Sequence, residues 1–544
     1  MSDQRKNLQL LVSGIRVSVD SAEEEILKKA ETKMKRAGIP TSTLHFRLYK
    51  KSVDARRRED IRFVCTVLAE GELKAVPSGS VLSKADARVL EEESLIPVYG
   101  TKTSPYPPLV VGMGPAGLFA ALLLAQNGYR PILIDRGPSV EERVRDVERF
   151  RLEGTLDTES NIQFGAGGAG TFSDGKLITR IQDPYCSLVL QTLVQFGAPE
   201  DILVKAKPHV GTDRLRTVVS SILGEIQRLG GEIRYRCRMD DIEELPDCLR
   251  VLTSDGEIPC SAVILAPGHS ARDTYQRLLQ KNYAIQPKPF SVGVRVEHLQ
   301  KNIDAALYGS FAGHPNLGPG EYALSDTTGE RGVYTFCMCP GGEVVAAASE
   351  EGGLVVNGMS YHARDGRNAN SAVAVSIRCE DVEPVNGSVA LGAIAFQRRL
   401  ERAAFAAGGG GYFAPIMTMG DFLEGKRGTA PSGILPSYRD GMVTCADFSQ
   451  IFPDYVLASL RSGFRSFGRK LSGFDCADAV LTAPETRTSA PLRILRDPDT
   501  RTGIGHERVY PCGEGAGYAG GITSAAVDGL RSAIALMSVF APKR

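Results

Sequence analysis

The sequence predicts an α/β protein built from several domains, and three observations lead to this prediction. At 544 residues, the chain is longer than a single hydrophobic core usually supports. Strand-like and helix-like segments alternate over residues 109–287, which is the pattern of an α/β domain. Inside that region, a Gly-x-Gly-x-x-Gly loop at residues 112–117 joins an apolar strand to a helix rich in Ala and Leu.

The first 98 residues predict a small α+β domain that precedes this region. Residues 8–12, 44–49 and 61–68 have the composition of strands, and residues 21–36 that of a helix, which gives the order β-α-β-β. Residues 1–62 contain 15 Lys and Arg against 9 Asp and Glu. Arg56-Arg57-Arg58 beside Lys50-Lys51 could contact phosphate, but a solvated charged face is the better explanation of this excess.

Composition narrows the class of protein. Lys plus Arg and Asp plus Glu both number 64, so the net charge weighs against nucleic acid and membrane partners. No apolar run approaches the roughly 18 residues of a membrane span, and the first residues lack a signal-peptide core. The 11 Cys are scattered without a Cys-x-x-Cys pair. We therefore expect a soluble cytoplasmic protein with reduced thiols.

Each part of the glycine loop has a physical reason. Gly112 permits a tight turn, Gly114 lets a pyrophosphate approach the backbone, and Gly117 lets helix and strand pack closely. Asp135 ends the next strand, where a carboxylate can accept hydrogen bonds from ribose hydroxyls. The dinucleotide site predicted from this segment comprises Gly112, Gly114, Pro115, Ala116, Gly117, Asp135 and Arg136.

The same glycine pattern occurs twice more, but neither copy predicts a second nucleotide fold. Residues 165–170 follow no clear strand, and residues 515–520 lie too near the C-terminus for a following β-α-β unit. We interpret both as loops that face the cofactor. From the first loop and its surroundings we predict Gly165, Gly168, Gly170 and Lys176 as cofactor-binding residues.

Three later segments indicate which dinucleotide is bound. They are a strand at residues 231–239, a strand ending in Ala266-Pro267-Gly268, and a strand ending in Gly513-Glu514 ahead of a helix from Ile522. With the first loop, they resemble the FAD-binding superfamily of glutathione reductase and p-hydroxybenzoate hydroxylase. This resemblance implies FAD contacts at Met239, Ala266, Gly268, Gly513 and Glu514. The helix that follows Gly521 and begins at Ile522 would stabilise negative charge on the flavin.

More narrowly, four segments resemble a little-characterised family of FAD-dependent, or NAD(FAD)-utilising, dehydrogenases. They are residues 161–177, 336–342, 357–360 and 485–489, and the resemblance extends over the whole chain. It implies a Rossmann-like FAD-binding domain in discontinuous segments, with an inserted mixed α+β substrate domain. The predicted domains are residues 1–98, 99–290, 291–484 and 485–544. Since no second nucleotide fold is visible, NAD(P)H would act only as a transient reductant.

Three residues are candidates for catalysis. His269 follows the Ala-Pro-Gly turn, where it either acts as a general acid or caps the following helix. Glu485 and Arg487 suit a carboxylate-bearing substrate with Arg487 as clamp, or else form a structural ion pair. Cys337 and Cys339 fit buried structural thiols better than a redox pair, and the His spacing predicts no metal site.

The expected reaction is hydride transfer through flavin N5 to or from a small organic molecule. A flavin monooxygenase shares the fold and is one alternative. An RNA-associated flavoprotein, with the basic N-terminal domain as its docking surface, is the other. The sequence indicates neither the substrate nor the oligomeric state.

Overall fold

The computed structural model describes residues 6–90 and 97–542, which form two compact units. The smaller unit contains residues 6–90 together with Pro199–Pro208 and Asp304–Gly320. The remaining described residues form the larger unit. Nothing in the sequence predicted that Pro199–Pro208 and Asp304–Gly320 belong to the smaller unit. The domain boundaries that the sequence suggests inside the larger unit stay predictions.

The smaller unit is a four-stranded antiparallel sheet covered by a helix. Its elements are β1 (Lys6–Ser18), α1 (Glu23–Arg36), β2 (Leu44–Asp54), β3 (Arg62–Leu73), α2 (Gly79–Lys84) and β4 (Ala87–Val89). The strand order is β2-β3-β1-β4. Helix α1 buries Ile26, Ala30 and Met34, which recur every four residues and so form one apolar face. The predicted β-α-β-β order is confirmed, and each of its strands is longer than predicted.

The larger unit begins with alternating strands and helices. The elements of this first part are β5 (Leu109–Val111), α3 (Pro115–Gln126), β6 (Ile132–Ile134), α4 (Val140–Glu153), α5 (Tyr185–Gln195), α6 (Thr212–Arg228), β7 (Glu232–Arg234), β8 (Met239–Glu244), β9 (Leu249–Thr253), β10 (Gly256–Cys260), β11 (Val263–Leu265), α7 (Arg272–Gln280) and β12 (Ile285–Pro287). The single strand predicted at residues 231–239 is wrong. It is divided into β7 and β8, and Arg236 between them has a left-handed φ of 51°.

The second part of the larger unit is richer in strands. Its elements are β13 (Phe290–Leu299), α8 (Gln300–Tyr308), β14 (Ser325–Asp326), β15 (Val333–Cys339), β16 (Glu343–Ala346), β17 (Val356–Met359), β18 (Asn368–Ile377), α9 (Val389–Ala407), β19 (Ala414–Thr418), α10 (Met419–Glu424), β20 (Val443–Cys445), α11 (Asp454–Lys470), β21 (Val480–Glu485), β22 (Leu492–Ile494), β23 (Val509–Pro511) and α12 (Ile522–Met537).

A five-stranded parallel sheet with the order β23-β11-β5-β6-β7 forms the centre of the first part. The chain leaves β5 toward β6 on one side and later returns to β11 on the other. In such sheets, ligands bind outside the carboxyl ends of the strands at this switch point. Helices α3 and α12 pack closely where Gly529 meets Ala116. A Cβ at Gly529 would clash with the carbonyl oxygen of Ala116, so only glycine fits there.

A seven-stranded sheet forms the second part, with the order β14-β15-β18-β13-β21-β19-β20. Its central strands β13 and β18 pair antiparallel along their full length and are buried almost throughout. Seven polar residues on these strands are buried as well, namely Ser291, Arg295, Glu297, His298, Asn368, Asn370 and Ser371. Buried polar groups need partners, and those of Arg295 lie beside the cavity described below. Among the described residues, no helix is long and apolar enough to cross a membrane.

Candidate cofactor and substrate site

A cavity of about 1520 Å³, measured together with its open mouth, lies at the carboxyl ends of β5, β6, β11 and β23. It is lined by most of the residues predicted for cofactor binding, namely Gly112, Gly114, Pro115, Ala116, Asp135, Arg136, Gly168, Gly170, Lys176, Met239, Ala266, Gly268, Gly513, Glu514, Gly521 and Ile522. The three predicted catalytic residues, His269, Glu485 and Arg487, line it too. The structure thus brings together residues that are up to about four hundred positions apart in the chain.

Gly117 and Gly165 are not among the residues that line the cavity, and their predicted contact with a cofactor stays a prediction. A Cβ at Gly117 would clash with the carbonyl oxygen of Gly112, so this glycine is required for packing inside the loop. Gly165 has a φ of 114°, and a Cβ there would lie 2.6 Å from Cδ of Arg143. Both glycines therefore shape the cavity from behind its wall.

Gly114 differs from its neighbours in what requires a glycine there. Gly112 has a φ of 99°, and a Cβ would clash with the carbonyl oxygen of Ala266. Gly114 has an ordinary φ of −72°, and the nearest atom to an added Cβ is Cα of Gly168 at 3.9 Å. Neither backbone strain nor packing requires glycine at this position. What remains is the cavity, where a bare backbone leaves room for a ligand.

Two helices begin at the cavity without a capping side chain. Helix α3 starts after Gly114, and α12 starts after Gly521, and neither has an acidic residue in its first turn. The first turn of a helix leaves backbone N–H groups unpaired and carries a partial positive charge. Two uncapped helix N-termini at one cavity favour an anionic ligand.

Asp135 ties loops together rather than pointing freely at a ligand. Its carboxylate accepts hydrogen bonds from the backbone N–H groups of Met113 at 2.8 Å, Gly137 at 2.9 Å and Gly165 at 3.1 Å. A carboxylate has about four acceptor positions, so one is left toward the cavity. Its predicted contact with a ribose stays a prediction. The neighbouring Arg136 forms a salt bridge with Asp273 at 2.9 Å.

Arg143 is a residue that the sequence analysis missed. It is fully buried, and its guanidinium donates to five backbone carbonyl oxygens of the loop at residues 161–168. Burial lowers the pKa of Arg143 to about 9, although the nearby Asp135 opposes this shift. Four arginines occur in α4, and nothing in the local pattern separates this one from the others.

Arg295 is the second residue that the sequence analysis missed. Its guanidinium donates to the Glu485 carboxylate at 2.9 Å, to Asn357 Oδ1 and the Cys337 carbonyl at 3.2 Å, and to Asn370 Oδ1. Three of these partners belong to the separate segments 336–342, 357–360 and 485–489, which all line the cavity. One signal was available, because a charged residue inside an apolar strand must have buried partners.

Glu485 and Arg487 do not pair with each other, so the structural pair considered from the sequence is wrong. Glu485 pairs with Arg295, and Arg487 donates to Glu401 at 3.0 and 3.1 Å and to Ser349. Glu401 also accepts two hydrogen bonds from Arg272. Burial would raise the pKa of the Glu401 carboxyl, but the two arginines keep it below its ordinary value. Arg487 uses three of its five N–H groups in this network.

Hydrogen bonds fix the tautomer of His269. Gln163 Nε2 donates to the Ala347 carbonyl, so Gln163 Oε1 is the acceptor for the Ser270 hydroxyl. The hydroxyl of Ser270 has then donated its proton, and it accepts from His269 Nδ1 at 2.9 Å. His269 Nε2 is therefore the unprotonated ring nitrogen. The helix cap considered from the sequence is wrong, because α7 begins without a side-chain cap.

The environment of His269 also opposes a positive charge. Burial, together with the nearby Arg487 and Arg272, lowers the pKa of His269 to about 3. The lowered pKa disfavours the protonated general acid that the sequence suggested, and that role stays a prediction. The neutral imidazole can accept a hydrogen bond through Nε2.

Cys337 and Cys339 line the cavity with free thiols. Cys339 is buried, which raises its pKa to about 11 against the opposing effect of Arg295. A protonated thiol is a poor nucleophile, which favours the structural interpretation of Cys339. Cys337 is exposed, so the prediction of a buried thiol is wrong at this position. Among the described residues, no cluster of His, Cys, Asp and Glu has the arrangement of a metal site.

Two further charged residues line the cavity near these groups. Lys176 lies 3.4 Å from Asp174 and 3.2 Å from Glu321, so its charge is compensated. No Lys or Arg of the described residues forms a salt bridge with Glu514, which accepts a hydrogen bond from the backbone N–H of Gly521. Burial raises the pKa of Glu514 to about 7, and the more distant Lys288 only moderates the effect.

The whole sequence is similar to that of a protein from Clostridium beijerinckii that is described as uncharacterized. The two are 43% identical over 538 residues, which cover 98% of this chain and 99% of the relative. The chain belongs to the same protein family. In this chain, residues 289–488 match a domain family described as "FAD-dependent protein, C-terminal domain-like". Residues 10–70 match a domain of unknown function. These matches support an FAD-dependent protein and leave its reaction open.

Solved structures with some likeness are also flavoproteins. CtdE in complex with FAD is 11% identical and covers 80% of this chain and 86% of its own, with a TM-score of 0.33. The halogenase PltM is 11% identical over 79% of this chain and 67% of its own, with a TM-score of 0.37. Thioredoxin reductase from Lactococcus lactis is 17% identical over 30% of this chain and 35% of its own, with a TM-score of 0.18. At these scores the likeness transfers no activity.

Proposed function

We propose that this protein is an FAD-dependent oxidoreductase that passes hydride through flavin N5 to or from a small organic substrate. The observation that carries the proposal is Gly114. This glycine lines the cavity at an uncapped helix N-terminus, and neither its φ nor its packing requires glycine. A dinucleotide whose pyrophosphate lies against the backbone supplies the missing reason.

The residues around the cavity fit FAD along its length. The start of α3, together with Gly114 and Gly168, would hold the pyrophosphate, since the two glycines are close enough that a Cβ at Gly168 would lie 2.8 Å from Cα of Gly114. Met239 and Gly268 would border the adenosine part. Glu514 would face the ribityl chain, and a raised pKa lets its carboxyl donate as well as accept a hydrogen bond.

When bound, FAD would supply a two-electron hydride acceptor and donor at N5. The uncapped N-terminus of α12 at Gly521 would stabilise negative charge beside the ring. His269 would accept a hydrogen bond through Nε2 from a hydroxyl or amine of the substrate. Because this imidazole resists protonation, it would orient that group rather than retain its proton.

The far end of the cavity would bind the substrate. Phe336 contributes an apolar ring there, and Asn357 contributes an amide. Glu485 and Arg487 are already in buried ion pairs. Two N–H groups of Arg487 stay unused, so a carboxylate on the substrate would bind as an additional partner rather than as the only one.

The first test measures FAD binding with matched glycine variants. We expect the purified protein to be yellow and to release FAD on heating. Gly114→Ala should weaken FAD binding at least about tenfold, or about 1.4 kcal/mol, with an unchanged melting temperature of the flavin-free protein. Gly224→Ala is the matched control, because a Cβ at Gly224 meets no atom within 4 Å, a Cβ at Gly114 meets only Cα of Gly168 at 3.9 Å, and Gly224 does not line the cavity. Equal FAD affinity in both variants would refute the proposed site.

The second test measures the reaction. Small metabolites are screened under anaerobic conditions for bleaching of the bound flavin. Bleaching by an alcohol, amine or hydroxy acid without added NAD(P)H supports the oxidoreductase. Bleaching by NAD(P)H alone, followed by substrate-dependent incorporation of labelled oxygen, would replace it with a flavin monooxygenase.

A further inference from the structure

A basic groove crosses the smaller unit, which contains no part of the cavity described above. Six cationic side chains line it, namely Arg16, Lys28, Lys29, Lys33, Arg36 and Lys84, and Glu25 is the only acidic residue in its lining. The chain as a whole has no net charge. The concentration of charge in this groove is therefore local.

The fold brings these cations together from three elements. Helix α1 contributes Lys28, Lys29, Lys33 and Arg36, whose spacing of three, four and eight residues places them along one side of the helix. β1 contributes Arg16, just beyond an irregularity in the β1–β3 pairing. The short helix α2 ends at Lys84.

Carboxylates compensate only half of this charge. Lys29 pairs with Glu25 at 2.8 Å, Lys33 with Asp86 at 2.6 Å and Arg16 with Asp54 at 3.4 Å. Exposed pairs of this kind are weak and readily exchanged. The other three cations, Lys28, Arg36 and Lys84, are exposed and form no salt bridge with the described residues. Three uncompensated positive charges remain around one groove.

We propose that the basic groove binds the phosphodiester backbone of a nucleic acid. No aromatic side chain lines the groove, and its apolar residues are the buried Ile15 and the half-buried Ala37. Bases therefore have nothing to stack on, and a membrane or an apolar partner surface has nothing to bury. A concave row of cations fits a chain of phosphates, so binding should be independent of base sequence.

The experiment measures binding of a short fluorescent single-stranded RNA to the full-length protein by anisotropy at several salt concentrations. At about 0.7 per neutralised phosphate, three to six contacts give a slope of roughly 2 to 4 for log Kd against log salt. The groove variant Lys28→Glu/Arg36→Glu/Lys84→Glu should bind at least about tenfold more weakly, or about 1.4 kcal/mol. The control variant Arg57→Glu/Arg58→Glu/Arg88→Glu has the same net charge and leaves the groove intact.

The outcomes separate the groove from general electrostatics. Loss of binding in the groove variant alone, with the same FAD content in both variants, supports the proposal. An equal loss in both variants, or no binding by the parent at low salt, overturns it. DNA of the same length should bind similarly if only phosphates are contacted. Tighter binding of RNA would show that the groove contacts the 2′-hydroxyl groups as well as the phosphates. Equally tight binding of poly-glutamate or of anionic lipid vesicles would overturn the assignment to a nucleic acid.

Discussion

Two buried arginines shape the two ends of the cavity in different ways. Arg143, at the cofactor end, donates to backbone carbonyl oxygens of one continuous loop and has no carboxylate within hydrogen-bond distance. Arg295, at the opposite end, donates to a carboxylate, two side-chain amides and a carbonyl from four separate segments. Burial lowers the pKa of Arg143, whereas for Arg295 the nearby Glu485 outweighs burial and raises it.

Arg143 thus holds its loop through backbone atoms, whereas Arg295 holds its part of the cavity wall mainly through side chains. The hydrogen-bond acceptors around Arg143 are backbone carbonyl groups, which every residue carries. The loop therefore needs glycines at the right positions rather than particular side chains. Around Arg295, each partner is a particular side chain on a different strand or turn. Under the proposed function, the loop around Arg143 would contact FAD mainly through backbone, whereas the partners of Arg295 are mostly particular side chains.

The largest expected effect follows from replacing the cofactor-end arginine. Arg143→Met leaves three buried carbonyl oxygens, those of Asn161, Ile162 and Ala166, without a donor, which should destabilise the fold by at least about 3 kcal/mol and abolish retention of FAD during purification. Arg143→Lys should recover little, because an ammonium has three donors and cannot span five acceptors. Flavin content and melting temperature are measured together. A yellow Arg143→Met protein of normal stability would show that neither the fold nor FAD retention depends on Arg143.

At the opposite end we expect a loss of stability of similar size but no loss of FAD, so the overall effect is smaller. Arg295→Met leaves the Glu485 carboxylate buried and unpaired, which should cost about 3 to 5 kcal/mol of stability, while FAD is retained. The double variant Arg295→Met/Glu485→Gln should recover part of that loss, because its buried carboxamide carries no charge. Melting temperature, flavin content and turnover are compared in all three variants. Loss of FAD in Arg295→Met would show that the two ends are not separable.

The same contrast explains what the sequence could predict. The glycine loop, the small-Pro-Gly turn and Gly513-Glu514 are local patterns, and the structure brings all of them to one cavity. The parallel arrangement around β5 and the β-α-β-β order of the smaller unit also follow from local alternation. The Arg295 network could not be predicted, because its partners lie up to 190 residues away along the chain. For the same reason Arg487 was assigned to a substrate, since its partner Glu401 lies on a distant helix.

A pH-dependent effect is expected from the carboxyl of Glu514, which lines the cavity. Burial raises the pKa of Glu514 from its ordinary 4.5 to about 7. Folded protein then binds a proton that unfolded protein releases, so stability declines as pH rises from about 4.5 through about 7. Glu514→Gln cannot ionise and should escape this decline.

The measurement is the melting temperature of flavin-free protein between about pH 5 and about pH 8. The variant should gain a few degrees over the parent toward high pH. Glu485→Gln is the contrasting control, because Glu485 pairs with Arg295 and its replacement should destabilise the protein. A constant difference between parent and Glu514→Gln across this range would contradict the assigned proton.

The smallest effect is expected when the thiol of Cys337 or Cys339 is replaced. This test shows whether Arg295 influences flavin reduction through either thiol. Arg295 contacts Cys337 through the backbone carbonyl oxygen, which every residue supplies, and its contact with Cys339 Sγ is long at 3.9 Å. Cys337→Ser should therefore change stability by no more than about 0.5 kcal/mol and leave FAD content and flavin reduction intact. The test compares the rate of anaerobic flavin bleaching in Cys337→Ser, Cys339→Ser and the parent. A large loss of rate in Cys337→Ser, with flavin still bound, would assign the thiol a chemical role and make the substrate end more than a structural wall.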